Sequence, residues 1–358
     1  MKKRIRLAVC LCLALALILS GCGGLRDYVD RFKSALGTGG AYVPYADMEY
    51  TRPDMTALDQ TLLKSCEAAR TSTDLTEVLD AIYDYYDAYD AFYTNMSLSY
   101  IKYSANLQDL YWQAEYDYCS ANYPAADAGL EELYRALAQS PIRDKLEEDR
   151  YFGPDFFDAY EGESVWDETF LALLEKESAL QNRYYALTSQ EGDLYGEAYL
   201  DTNFQELAQL LVELVAHRQE LAAYMGYDSY PQFAYDFYHY RDYTPQQALD
   251  YTDLIRQELT GMYRQLDGNY FDVGTSCTEE EMLSFVRDTA EAMGGYVEEA
   301  FELMEDAGLY DVGYGENKLN ASFEVYLDAY REPFVFVNPS GGAYDKLVLA
   351  HEFGHFAR

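Results

Sequence analysis

His351-Glu352-Phe353-Gly354-His355 decides how this 358-residue chain is read. On a helix, residues four apart stand one above the other, so the two imidazoles share a face and can grip one zinc ion. Glu352 projects beside them, placed to take a proton from a metal-bound water. The chain has only 4 histidines and two of them stand here, which makes a chance match a poor explanation. On a helical wheel Tyr344, Leu347 and Val348 share the histidine side, while Leu349, Phe353 and Phe356 fall opposite, where they can root the helix in a core. Gly354 gives up about 1 kcal/mol of helix propensity relative to Ala, which suggests close packing or a need for access. The plain alternative is a buried helix whose two histidines are merely hydrogen-bonded.

The segment upstream agrees with a zinc helix set beside a sheet. Ser322-Phe323-Glu324-Val325-Tyr326-Leu327 alternates and is rich in β-formers, and Pro333-Phe334-Val335-Phe336-Val337 is a second apolar β run. Asn338-Pro339-Ser340-Gly341-Gly342 then breaks the strand and leads into the helix. A strand in that place can hold an extended peptide by main-chain hydrogen bonds, which makes a peptide a more natural substrate than a sugar or a phosphate. Without the motif, the same residues read as an ordinary hairpin packed on helices.

The run from Glu316 to Arg358, with its strands, Asn338, the Gly341-Gly342 turn, Asp345 and HEFGH, resembles the oligoendopeptidase F and thimet-oligopeptidase family of zinc peptidases. Leu214-Val215-Ala216-His217-Arg218, Ala222 and Gly226-Tyr227-Asp228-Ser229-Tyr230 are similar to that family's helix ending in a Gly-Tyr-x-x-Tyr turn. The resemblance implies His351 and His355 as zinc ligands, Glu352 as general base, and short unfolded peptides admitted to a channel between helical lobes. It also implies a glutamate ligand on a later helix, and His and Tyr side chains steadying the oxyanion, all beyond Arg358. The chain by itself is therefore expected to be inactive for lack of the third ligand. A metzincin is excluded because Arg358 stands where that pattern needs Gly. The alternative from another class is a catalytically incomplete, membrane-tethered peptide-binding or scaffold lipoprotein. A solute-binding lipoprotein would require α/β alternation, which this sequence lacks.

Lys2, Lys3, Arg4 and Arg6 precede an unbroken apolar run from Leu7 to Leu19, the pattern of a secretion signal too short to span a bilayer. Leu19-Ser20-Gly21-Cys22 looks like a bacterial lipobox, and that resemblance implies cleavage before Cys22 and lipidation of Cys22. The body is then expected outside the cytoplasm, anchored to the cell membrane by lipid. Cys10 and Cys12 leave with the signal, so Cys66, Cys119 and Cys277 remain: one disulfide and a free thiol, or three buried unpaired cysteines. No CxxC pair exists, so a Cys-type zinc site is excluded. The net charge of −37, with the leader's basic residues still counted, repels nucleic acid and argues against it as a partner. Oligomeric state is not legible.

The fold class expected is mainly α: a multi-helix peptidase lobe with a small β-sheet beside a zinc-binding helix, the C-terminal part of the catalytic domain missing. The divisions expected are 1–21 signal peptide, 22–54 tether, 55–310 helical domain, and 311–358 an incomplete zinc subdomain. Asp74 with Glu77 reads as a capping-box start to a helix whose apolar positions step from Leu75 to Met96, followed by helices near 101–121, 126–138, 166–187, 189–225 (interrupted near Leu200) and 230–239. Thr244-Pro245 with Gln247, and Thr278 with Glu281, open two more, and 294–308 continues helically. The 38 tyrosines read as core edge and helix seam, and His217 and His239 as structural or surface residues. Leu349, Phe353 and Phe356 are expected to expose apolar surface if the rest of a catalytic lobe is missing.

Overall fold

Asp54 accepts the amides of Thr56 and Ala57, satisfying donors that no helical carbonyl can reach, and so starts α1 (Met55–Thr71). The computed structural model describes residues 42–148, 150–162, 164–188, 197–239, 241–264 and 276–358. The expected signal, the lipobox with Cys22, and the tether before residue 42 lie outside these residues. After α1 come α2 (Leu75–Ala105), α3 (Leu110–Ala138), α4 (Arg143–Leu146), α5 (Glu168–Thr188), α6 (Glu197–Tyr224), α7 (Tyr230–Phe237), α8 (Pro245–Tyr263), α9 (Glu279–Met293) and α10 (Tyr296–Asp306). Then follow β1 (Tyr310–Val312), β2 (Ser322–Leu327), β3 (Glu332–Val337) and α11 (Asp345–Phe356). The chain is mainly helical with one small mixed sheet, as the pattern of apolar residues indicates.

Helix starts are largely as expected, with one change of partner. Thr244 with Gln247 and Thr278 with Glu281 form complete capping boxes. Asp74 does cap α2 through the Thr76 amide, but Glu77 accepts the Ser72 hydroxyl at 2.7 Å instead of reaching back to Asp74. Two breaks expected near residues 100 and 124 are absent. α2 runs unbroken for 31 residues, and Pro124 lies buried inside α3. A proline there removes one backbone hydrogen bond, yet packing holds the helix together: Tyr89 donates to the buried Asp127 carboxylate at 2.5 Å, pinning the second half of α3 to α2. α6 is continuous from Glu197, without a break at Leu200.

α2 joins the two main cores. Its first half supplies Val78, Ile82, Tyr85, Tyr89 and Phe92 to a core shared with α1 and α3. Its second half supplies Leu98, Ile101 and Tyr103 to the core built on the sheet, α9, α10 and α11. A straight helix of this length is about 46 Å long, so a single rigid rod fixes the helical layer against the site-bearing layer. The buried tyrosines at these seams bear out their reading as core rather than groove residues. A third core packs α5, α6 and α7 through Phe170, Leu221, Phe233 and Phe237.

The sheet order is β1-β3-β2, with β1 parallel and β2 antiparallel to the central strand. Val335, Phe336 and Val337 of β3 are fully buried. β1 is too short to register as a pattern and was not anticipated. Its place is set by Lys318, whose ammonium donates to Asp311 and to the Gly313 carbonyl, both at 2.8 Å.

The folded body begins before residue 55. The Tyr45 amide donates to the Ala307 carbonyl at 2.9 Å, and the Tyr45 ring lies 4.4 Å from Phe334. Arg52 forms a two-pronged pair with the buried Glu115 at 2.9 and 2.6 Å, and Tyr50 donates to the same carboxylate at 2.6 Å. Residues 42–54 therefore strap α3, α10 and the sheet together. Cys66, Cys119 and Cys277 are all unpaired and buried, which selects the second of the two cysteine readings. Among the described residues no helix is long and apolar enough to cross a membrane.

Candidate metal site

Asp345 prepares α11. Its buried carboxylate accepts the amides of Gly341 and Gly342 at 2.7 and 3.0 Å and the Ser340 hydroxyl at 3.0 Å. Gly341 sits at φ +86°, a conformation that costs a residue with a Cβ dearly and glycine little. Asn338 ties the end of β3 to the preceding loop, accepting from the Gly315 amide and donating to the carbonyls of Lys318 and Leu319. The Cys277 amide donates to the Gly341 carbonyl at 2.9 Å, joining the turn to the start of α9.

α11 then behaves as its helical wheel indicates. Leu349, Phe353 and Phe356 are buried, with Phe353 edge-on to Phe301 at 5.4 Å. They expose no apolar surface, contrary to expectation, because α9, α10 and the sheet already cover that side. The opposite side carries His351 and His355, both exposed, with Tyr344 and Leu347 beside them at 56% and 55% exposure. The imidazole Nε2 atoms face each other at 3.2 Å. Two histidines on a tetrahedral zinc with bonds near 2.1 Å would have their nitrogens about 3.4 Å apart, so the donor pair fits two corners of such a site. Among the described residues no group of three or more His, Cys, Asp or Glu is arranged to hold a metal. The pair offers two nitrogen donors.

Glu352, between the histidines, is buried at 8% exposure. Facing it from β2 is Glu324, a residue sequence reasoning missed. Burial and then the charge of Glu352 push the Glu324 carboxyl up to about 7, with Arg358 pulling the other way. At the β2–β3 turn, burial and the neighbouring Asp90 raise Asp328 to about 8. Gly354 is exposed, and a Cβ added there would meet nothing within 4 Å. Close packing is therefore not the reason for this glycine; it leaves open space next to His355. His217 lies far from this chemistry in the α5–α6 seam, where its Nε2 donates to the Leu173 carbonyl at 2.9 Å. His239 is exposed. The structure thus brings His351, Glu352 and His355 together on one helix and leaves the other two histidines out.

Comparison with known proteins agrees with this architecture. Residues 45–164 match the Peptidase M3 N-terminal domain, a stretch that covers the strap, α1 to α4 and the loop after them, and ends well before α11. A solved oligoendopeptidase F-type protein from Bacillus anthracis str. Ames superposes with a TM-score of 0.76 at 21% identity, covering 89% of this chain and 67% of that one. Pz peptidase A, solved with an inhibitor, gives 0.73 at 18% identity over 87% of this chain and 64% of its own. A further oligoendopeptidase F-type structure gives 0.76 at 19% identity over 88% and 64%. The chain thus spans about two thirds of the length of these structures. A search of curated proteins gives no match. Residues 45–164 are thus similar to the Peptidase M3 N-terminal domain, and the chain has the fold shared by oligoendopeptidase F and Pz peptidase A.

Proposed function

We propose that the protein is a zinc-dependent metalloendopeptidase that hydrolyses short peptides outside the cytoplasm, held at the membrane by a lipid on Cys22. The observation that carries the reading is the opposed pair of Nε2 atoms at 3.2 Å, with the carboxylate of Glu352 on the intervening turn. Zinc, when bound by His351 and His355, would polarise a scissile carbonyl and acidify water at the site. Glu352 takes the proton of the attacking water and passes it to the leaving amine. Its burial fixes the carboxylate on the intervening turn, beside the two imidazoles. β2 is one of the two outer strands of the sheet and pairs only with β3 among the described residues, so an extended peptide can add alongside it by main-chain hydrogen bonds. Strand addition presents a carbonyl to α11 and selects unfolded chains over folded ones.

The test is zinc content by elemental analysis of the purified protein together with cleavage of quenched-fluorescence peptides. Glu352→Gln is expected to retain zinc and lose cleavage, and His351→Ala to lose both. Equal cleavage by the Glu352→Gln protein and the unsubstituted one removes Glu352 as the base. For the anchor, incorporation of labelled fatty acid that disappears in Cys22→Ser is expected; labelling that persists excludes that cysteine.

A second reading is a peptide-binding or scaffold lipoprotein with an incomplete zinc site. The observation favouring it is that two imidazoles, without a third donor group among the described residues, make a loose chelate. Peptide binding without zinc uptake or cleavage would select it.

A further inference from the structure

We propose that Glu324 makes the site selective for peptides carrying a lysine or arginine beside the scissile bond. This inference rests on the peptidase reading and adds the chemistry of its substrate.

Strand alternation places the carboxylate. Phe323 turns toward α2, its ring 4.6 Å from Tyr100 and stacked on Phe336 at 4.8 Å. Its neighbour Glu324 must then project from the other face of the sheet. α11 packs on β2 and β3, and the charge of Glu352 on that helix acts directly on the Glu324 carboxyl. The strand pattern and the electrostatics therefore give the same direction by separate routes. Across the ladder Glu324 is paired with Val335, which is fully buried and offers no countercharge. Among the described residues the Glu324 carboxylate forms no side-chain hydrogen bond or ion pair. The cation acting on it is Arg358.

A buried and a half-buried carboxylate side by side repel each other, and both resist losing water. A cationic side chain on a bound strand relieves that repulsion, whereas an acidic one adds to it. Because Glu324 sits on the strand a substrate would pair with, the position it reads lies close to the bond that Glu352 serves. The net charge of −37 works in the same direction at longer range by drawing basic peptides toward the protein.

The experiment uses the full-length protein and a neutral fluorogenic peptide in which a single Lys or a single Glu is walked through every position. Cleavage is measured directly, and binding by fluorescence anisotropy on the Glu352→Gln background. The readout is the ratio of Lys peptide to Glu peptide within each protein. Glu324-containing protein is expected to favour Lys by about fivefold at one position. Glu324→Gln should bring that ratio to near one, and Glu324→Lys should invert it. The near-isosteric Gln variant carries the test if the Lys variant does not fold. An unchanged ratio in Glu324→Gln overturns the proposal and leaves the peptidase reading intact. A loss of zinc in Glu324→Gln with the ratio unchanged also overturns it, assigning the carboxylate to the metal instead. A Glu324-dependent ratio in binding, without cleavage, sustains the proposal while the peptidase reading fails. Absence of both binding and cleavage overturns both.

Discussion

The carboxylate of Asp345 accepts the amide of Gly341 at 2.7 Å, so the first turn of α11 reaches back to fasten the loop that precedes it. With the Gly342 amide and the Ser340 hydroxyl it satisfies three donors from a buried position. Asp345→Ala would leave those donors without a partner, at about 2 kcal/mol or more of stability. The expected outcome is a lower denaturation midpoint together with weaker zinc uptake, because the helix loses its fixed start. Unchanged stability in a denaturant titration would show that the loop is held by other contacts.

Gly354 offers a separation of stability from access. An added Cβ meets nothing within 4 Å, so Gly354→Ala should gain helix propensity of about 1 kcal/mol without strain. Thermal melts should show a higher midpoint. If the glycine keeps space beside His355 for substrate, peptide cleavage falls in the same variant; cleavage that rises with stability would refute an access role.

The acidic turn between β2 and β3 predicts a pH dependence. Burial, then Asp90, raises Asp328 to about 8, and burial, then Asp87, raises Asp90 to about 6, with Arg331 opposing. The folded form therefore holds protons that the unfolded chain releases above about pH 4. The resulting stabilisation is complete below that pH and is lost as pH rises through 6 and 8. Asp328→Asn keeps the neutral group at every pH, so its melting temperature should fall less between pH 5 and pH 8 than that of the unsubstituted protein. Parallel slopes for the two proteins would refute the assignment.

The strap at residues 42–54 predicts where truncation begins to hurt. A chain starting at residue 42 keeps Tyr45 on Phe334 and Arg52 on Glu115, and should melt like the longer protein. A chain starting at residue 55 loses the core residue Met48 and leaves the buried Glu115 carboxylate without its cation. It should melt several degrees lower. Equal melting temperatures would place the strap outside the cooperative unit.

Local pattern alone was enough for whatever depends on residues within a turn or two of each other. Thr244 with Gln247 and Thr278 with Glu281 cap their helices because donor and acceptor are three residues apart. His351 and His355 share a face for the same reason, and β2 shows in the alternation of Ser322 to Leu327. Other features depend on which distant segments meet. Pro124 stays helical because Tyr89 on another helix holds Asp127, and three-residue β1 exists because β3 lies beside it. Residues 42–54 belong to the body because Glu115 awaits Arg52. Glu324 faces Glu352 only because α11 folds back across the sheet, and no spacing along the chain encodes that encounter. Short-range geometry is written into the covalent chain, whereas the environment of a carboxylate is made by whatever packing brings beside it.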